Sequence, residues 1–535
     1  MKSAAIWSAL AAAANAVAPV VDVSYARYEG VKTGTTTQWL GIRYAAPPLG
    51  DLRFQKPSDP VQTHSLQQAD KHGKICLGTD QAPNNATFAT HSEDCLFLDV
   101  YAPSHASSSS RLPVFVFIQG GGFNSNSNAN YNGTGLIHAA NDSIVVVTFN
   151  YRVGVFGFLT DGDRATANNG LWDQVKVLEW VRAHIDRFGG DPSHVVIGGD
   201  SAGAASVAYH LTRGGNSAGH GLFVGAAAES VSFGTVLDVE SSQYLYANYT
   251  ARVGCAGEED SVVCLRSKTS AELQAANINV VPLPGAQHPQ LFMWNPVIDG
   301  DFITELPYDA FRRGDFVKVP VIIGDDTNGG TVFTPRSTAT IAEMNTFLHD
   351  QFPSLTGEDL AMIGELFPNP HEQACPAKGC RWRQLSNAYG QMRYMCPGLT
   401  INDMYATHGV PASSWAYRWN VEDPAQMEEG IGVPHTVEVH AIFGPTNTAG
   451  APRSYYVGEK NAHAVTVAQA YWASFIKTLN PNTYKAAGAV EWEPWGARKR
   501  RIVVNTGGQT NMESMDADLK TTCKFFQRIG HRIRQ

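Results

Sequence analysis

Residues 199–203 read Gly-Asp-Ser-Ala-Gly, a serine held between glycines at the G-x-S-x-G spacing. The run HVVIG (194–198) before it reads as a short buried strand, and AGAASVAYHL (202–211) after it as an Ala-rich helix. In that context the motif is a tight strand-to-helix turn that lifts the serine hydroxyl off the sheet as a nucleophile. The turn also sets Ser201 at a helix N-terminus, where the N–H of Ala202 can stabilise an oxyanion. The five-residue motif also occurs in ordinary turns, so its flanks carry the reading. A second group sits upstream: Gln119-Gly-Gly-Gly-Phe123 directly follows the strand-like LPVFVFI. Three glycines in a row let backbone N–H groups converge without side-chain obstruction. The chemistry that both groups serve is nucleophilic attack on a carbonyl. A third stretch, GDDTNGGTVF (324–333), follows the apolar run VKVPVII and places Asp325 and Asp326 at a strand end. Strand ends are where open α/β sheets do chemistry; the plain alternative is two aspartates that solvate or cap a loop.

These residues need a sheet to hold them. LPVFVFIQ (112–119) and SIVVVTFN (143–150) are continuous apolar runs, as expected of strands covered on both faces. From Trp172 to Phe188 the residues Val175, Leu178, Val181, Ile185 and Phe188 recur at three and four, an amphipathic helix. Further strands are predicted at VPVII (319–323), SWAYRWN (414–420) and RIVVNT (501–506), with a helix through 463–479. Alternating strands and helices predict an α/β fold with a large, mostly parallel sheet flanked by helices. No linker or repeat divides the chain, and SHASSSSR (104–111) reads as a surface loop between two strands.

The 535 residues are 43% apolar and 17% charged, with a formal net charge of −9. An acidic balance argues against a nucleic-acid partner, and no apolar run after the N-terminus is long enough to span a membrane. The opening MKSAAIWSALAAAANAVAPVV has one basic residue, a short apolar run and the small residues Ala14-Asn15-Ala16. That is the pattern of a secretory signal peptide over 1–16. Eight cysteines, an even count, then favour full pairing, and no CxxC pair suggests zinc. Asn85, Asn132, Asn141 and Asn248 lie in N-x-[ST] sequons.

Over nearly the whole mature chain the sequence resembles the type-B carboxylesterase/lipase family, which includes the cholinesterases. The resemblance rests on QWLGIRYAAPPLGDLRF (38–54), SEDCLFLDVYAP (92–103), YRVGVFGF (151–158) and NNGLWDQVKVLEWVRAHIDRFGGDP (168–192), running into the elbow FGGDPSHVVIGGDSAG. It implies a single α/β-hydrolase catalytic domain over 17–535. Ser201 then matches the nucleophile, and Gly121, Gly122 and Ala202 match the oxyanion-hole donors. The family histidine, in a G-V-x-H-x-x-E pattern, corresponds to His435 of GVPHTVE, with His440 the weaker match. The resemblance pairs Cys76 with Cys95, Cys255 with Cys264 and Cys396 with Cys523, leaving Cys375 and Cys380 to close a small loop. No metal or organic cofactor is implied.

Three positions depart from the family pattern. Asp200 stands where the family usually has Glu. The segment between Cys76 and Cys95 has no Trp, so the aromatic platform for a quaternary ammonium is missing and a cholinesterase is rejected. Gly329 occupies the place of the acid in G-x-x-x-D-E-G. A replacement must come from a neighbour: Asp326, three residues earlier, or Glu229 at the end of another strand, or else the serine and histidine act as a dyad. The expectation is a secreted, glycosylated serine carboxylesterase that cleaves a small-molecule ester through an acyl-enzyme. The alternatives are acyl transfer or lactone formation on the same scaffold, and a silent binding or adhesion protein.

Overall fold

The computed structural model describes residues 19–214, 221–369, 379–408, 410 and 413–535. The expected signal segment 1–16 and Cys375 lie outside the described residues. Eleven strands form one sheet. In chain order they are β1 (Val31–Thr33), β2 (Thr36–Arg43), β3 (Phe97–Pro103), β4 (Leu112–Ile118), β5 (Val145–Phe149) and β6 (Gly190–Asp200). There follow β7 (Gly225–Glu229), β8 (Val321–Asp326), β9 (Ser414–Asn420), β10 (Arg500–Asn505) and β11 (Thr510–Ser514). The spatial order is β11-β10-β9-β8-β7-β6-β4-β5-β3-β2-β1. Every pairing from β5 through β4, β6, β7, β8 and β9 to β10 is parallel. Both margins are antiparallel, β3, β2 and β1 on one side and β11 on the other.

The continuous apolar runs are explained by what lies on each face. Along β4, Val114, Val116 and Ile118 enter one core while Phe115 and Phe117 enter the other. In β5, Val145 and Val147 part company with Val146 in the same way. A strand with two dry faces has no place for polar alternation.

The sequence reading fell short at boundaries that matter. β6 runs to Asp200, two residues beyond HVVIG, and ends on the nucleophile turn. β8 takes in Asp325 and Asp326, two residues of the strand end beyond the predicted VPVII and Gly324. The helix expected from Trp172 spans Asn169–His184 and tightens into a 3-10 turn at Ile185–Phe188. Register then brings the site together. Asp200 pairs with Glu229, and Glu229 pairs with Gly324, so β6 and β7 finish level and β8 runs two residues further, to Asp326.

The disulfides Cys76–Cys95, Cys255–Cys264 and Cys396–Cys523 are present, and Cys380 is also disulfide-bonded. Of the sequon asparagines, Asn85, Asn141 and Asn248 are exposed, whereas Asn132 is half-buried.

Candidate active site

Ser201 sits at the tip of β6 with φ 55° and ψ −117°, a backbone region that side-chain-bearing residues seldom occupy. Close packing holds it there. A Cβ on Gly203 would stand 1.8 Å from the carbonyl oxygen of Ile118, and one on Gly199 would stand 2.7 Å from Gly203. No other residue fits at either place, which is why the motif demands glycine. The Ser201 N–H donates to the carbonyl of Glu229 at 2.8 Å, tying the turn to β7. Helix Ala202–Thr212 begins at the next residue, so the Ala202 N–H has no intrahelical acceptor.

The glycine loop faces this turn. Gly121 has φ 111° and Gly122 φ 61°. Their carbonyls accept from Asn124 and Ser125, while neither N–H has an acceptor among the described residues. The Gly120 N–H is taken by Asp200 Oδ1 at 2.8 Å, so the shorter acid of this chain anchors the loop. Gln119 fixes the other end, donating to the Phe149 carbonyl and accepting from the Ser127 N–H.

His435 is half-buried, with both ring nitrogens covered and neither hydrogen-bonded. Its ring lies on Tyr394, centroids 4.1 Å apart, and beside Phe333 at 5.2 Å. Burial, and then the charge of Arg393, push its pKa down to about 3. His440 bonds Thr448 instead, Nδ1 to Oγ1 at 2.8 Å, and burial lowers it to about 4.

Neither carboxylate expected to replace the family acid reaches His435. Asp326 accepts the Thr436 N–H at 2.6 Å and the Ser230 hydroxyl at 3.2 Å on the same oxygen. Its carboxyl also lies beside that of Glu438, and burial is the first cause that raises the pKa of both. Glu438 in turn accepts from the Tyr417 hydroxyl at 2.8 Å. Asp326 therefore steadies the turn that carries the histidine; it does not touch the ring. Glu229 accepts from the Trp472 indole at 3.0 Å and is buried, its pKa pushed well up.

Gly329 lies beside the histidine. The turn after β8 is clamped to the histidine turn by two bonds, Asn328 N–H to the Val433 carbonyl at 2.9 Å and Val433 N–H to Asn328 Oδ1 at 3.0 Å. A Cβ on Gly329 would stand 3.9 Å from His435 Nδ1 and 3.7 Å from Tyr394, ordinary contact distances. The position is shaped for a side chain, and a cavity of about 30 Å³ borders it. Sequence reasoning missed Tyr394, Phe333, Phe292, Arg393 and Glu438. Only Glu438 left a signal, as the final acid of the histidine motif.

The comparisons agree with this architecture. Residues 17–526 match the model of the carboxylesterase family. The chain is 29% identical over 510 residues to secreted lipase 4 of Gibberella zeae, covering 92% of this chain and 88% of that one. It is 28% identical to the cocaine esterase of Oryctolagus cuniculus, covering 90% of each, and 28% identical to neuroligin-2 of Mus musculus, of which it spans 61%. The crystal structure of Aspergillus niger EstA superposes with a TM-score of 0.92 at 40% identity, covering 97% of this chain and 99% of that chain. With the nucleophile turn, the glycine loop and the histidine turn gathered at one sheet edge, this chain belongs to the carboxylesterase family.

Proposed function

We propose that the protein hydrolyses small carboxylic esters through an acyl-enzyme on Ser201, with His435 as base and no carboxylate partner for that base. Ser201 Oγ attacks the ester carbonyl carbon and its proton passes to His435. The N–H groups of Gly121, Gly122 and Ala202 receive the oxyanion. Collapse of the intermediate expels the alcohol with the proton from His435, and water then repeats the sequence on the acyl-enzyme. The observation that carries this reading is the Ser201 turn at positive φ, facing two unpaired glycine N–H groups. The test is labelling with a neutral fluorophosphonate together with ester turnover. The wild type should label at Ser201, and Ser201→Ala should lose both label and turnover. Labelling elsewhere, or full turnover by Ser201→Ala, would refute it.

Gly329 favours a second reading, a silent binding protein on this scaffold, because the acid is what such a protein is free to lose. A wild type that neither labels nor turns over any ester would support it. Passage of the acyl group to an alcohol or lactone formation would appear as a product other than the free acid. We also propose export, with removal of residues 1–16 and a domain over 17–535; the disulfides and exposed sequons support it.

A further inference from the structure

Arg393 is 3% exposed and lies on the π-helical turn Gln391–Met395. Such turns are rare and concentrate at functional sites, because the extra residue re-aims its neighbours. Here the turn presents Tyr394 to the ring of His435 and Arg393 to Phe292, whose ring centre is 5.4 Å from the guanidinium. Phe292 in turn closes on the glycine loop, since a Cβ on Gly122 would stand 2.2 Å from its ring. The guanidinium is therefore one side chain away from both the base and the oxyanion loop.

It is also a buried charge without a counter-charge. Its one well-formed hydrogen bond runs from Nε to Ser232 Oγ at 3.2 Å, and among the described residues no carboxylate pairs with it. Asp200, Glu229, Asp326 and Glu438 are all pushed up by burial first, and Arg393 is not among the groups that favour their charged forms. The phenols of Tyr389 and Tyr394 lie close enough to feel its charge and to interact with it through their hydroxyls, but they are neutral and supply no counter-charge. A buried guanidinium with only neutral partners is costly unless a negative charge pairs with it. Flat, forked donors match a carboxylate, and a single negative charge neutralises the guanidinium, whereas a phosphate dianion would leave a surplus negative charge buried.

We propose that Arg393 receives a carboxylate carried by the substrate, so that the enzyme acts on acidic esters such as half-esters of dicarboxylic acids. This rests on the esterase reading above. The experiment compares kcat/KM for the monomethyl and dimethyl esters of succinate, glutarate and adipate, and for acetoxy acids against their amides. The wild type should favour the acidic member of at least one pair by about tenfold or more, the scale of a charged hydrogen-bonded pair. Arg393→Gln should bring that ratio near one and Arg393→Lys should retain part of it, with KM carrying most of the change. Fluorophosphonate labelling of Ser201 reports whether each variant is folded and competent. A wild-type ratio below two in every pair overturns the proposal without any variant, as does a ratio that survives in Arg393→Gln. Acceleration of the neutral esters by free glutarate, matching the rate of the acidic ester, would assign the carboxylate to solution and overturn the substrate claim. A wild type that labels but shows no preference sinks this inference alone; one that neither labels nor turns over sinks the esterase reading and this with it.

Discussion

A histidine that accepts a proton from serine becomes a cation at the moment of reaction, and a carboxylate on its far nitrogen is what normally stabilises that cation. His435 has none. Its nitrogens are covered, its ring is packed on Tyr394 and Phe333, and its pKa is pushed down to about 3. Gly329→Glu should supply the missing group, since the Cβ it adds lies 3.9 Å from Nδ1 with no clash. Turnover of a fast ester should rise by one to several powers of ten, with about 10⁴ as the ceiling set by loss of an acid elsewhere. A carboxylate there favours the imidazolium, so the acid limb of the pH–rate profile should move to higher pH. Unchanged turnover and an unmoved limb would mean that something other than the acid limits the enzyme. Asp326→Asn should behave differently, because an amide oxygen still accepts from Thr436: less than a tenfold loss, with no shift of the limb. A collapse in that variant would return Asp326 to the role that the sequence suggested for it. The serine turn and the glycine loop were legible in sequence because their backbone geometry tolerates only certain residues, and the histidine turn was legible through the resemblance of its motif. The acid was not, because its absence leaves neighbouring aspartates whose partners depend on where a strand stops.

At the level of elements, the site is a product of register. Two strands finish level at Asp200 and Glu229, the third passes them at Gly324 and ends at Asp326, and the turns after β6 and β8 carry Ser201 and Gly329 from that edge. The strands were readable from their apolar runs, but pairings between distant segments leave no local trace. The π-turn Gln391–Met395 was wholly invisible, since its pattern differs from a helix by one residue per turn. It leads straight into the helix Cys396–Thr407, which the disulfide from Cys396 ties to Cys523 on the helix Ala517–Arg528. That bond closes a separation of 127 residues. In the chain-entropy account, a loop of this size contributes about 4–5 kcal/mol, less any strain. The double variant Cys396→Ala with Cys523→Ala should thus lose roughly 2–5 kcal/mol in denaturant unfolding. It should lose ester activity before it unfolds globally, because the π-turn is next to the cut. Parallel loss of both signals would show that the bond serves only global stability.

The whole molecule gathers buried acids at one sheet edge, and this makes its stability depend on pH. Burial raises Asp200 from 3.8 to about 7, against the pull of the Gly120 N–H. Between those values the folded chain holds a proton that the unfolded chain has released, so stability falls as pH rises through the window. His435 and His440 act in the opposite sense: both are depressed, and each costs stability as pH drops below about 6.5, where the unfolded chain takes up protons. The wild-type curve mixes the two, so a difference between variants isolates one group. Asp200→Asn keeps an oxygen for Gly120 but cannot ionise. Its stability relative to wild type should climb from pH 4 to pH 8, by about 4 kcal/mol at the limit. Equal pH dependence in the two proteins would show that Asp200 ionises freely.

The open space at Gly329 has a genetic meaning. Two of the four glycine codons become glutamate codons by a single base change, and the clamp between Asn328 and Val433 that would aim the new side chain is still in place. Where one of those codons is used, full esterase power is one point mutation away. A growth selection for ester use should then recover that revertant repeatedly, ahead of changes anywhere else in the chain.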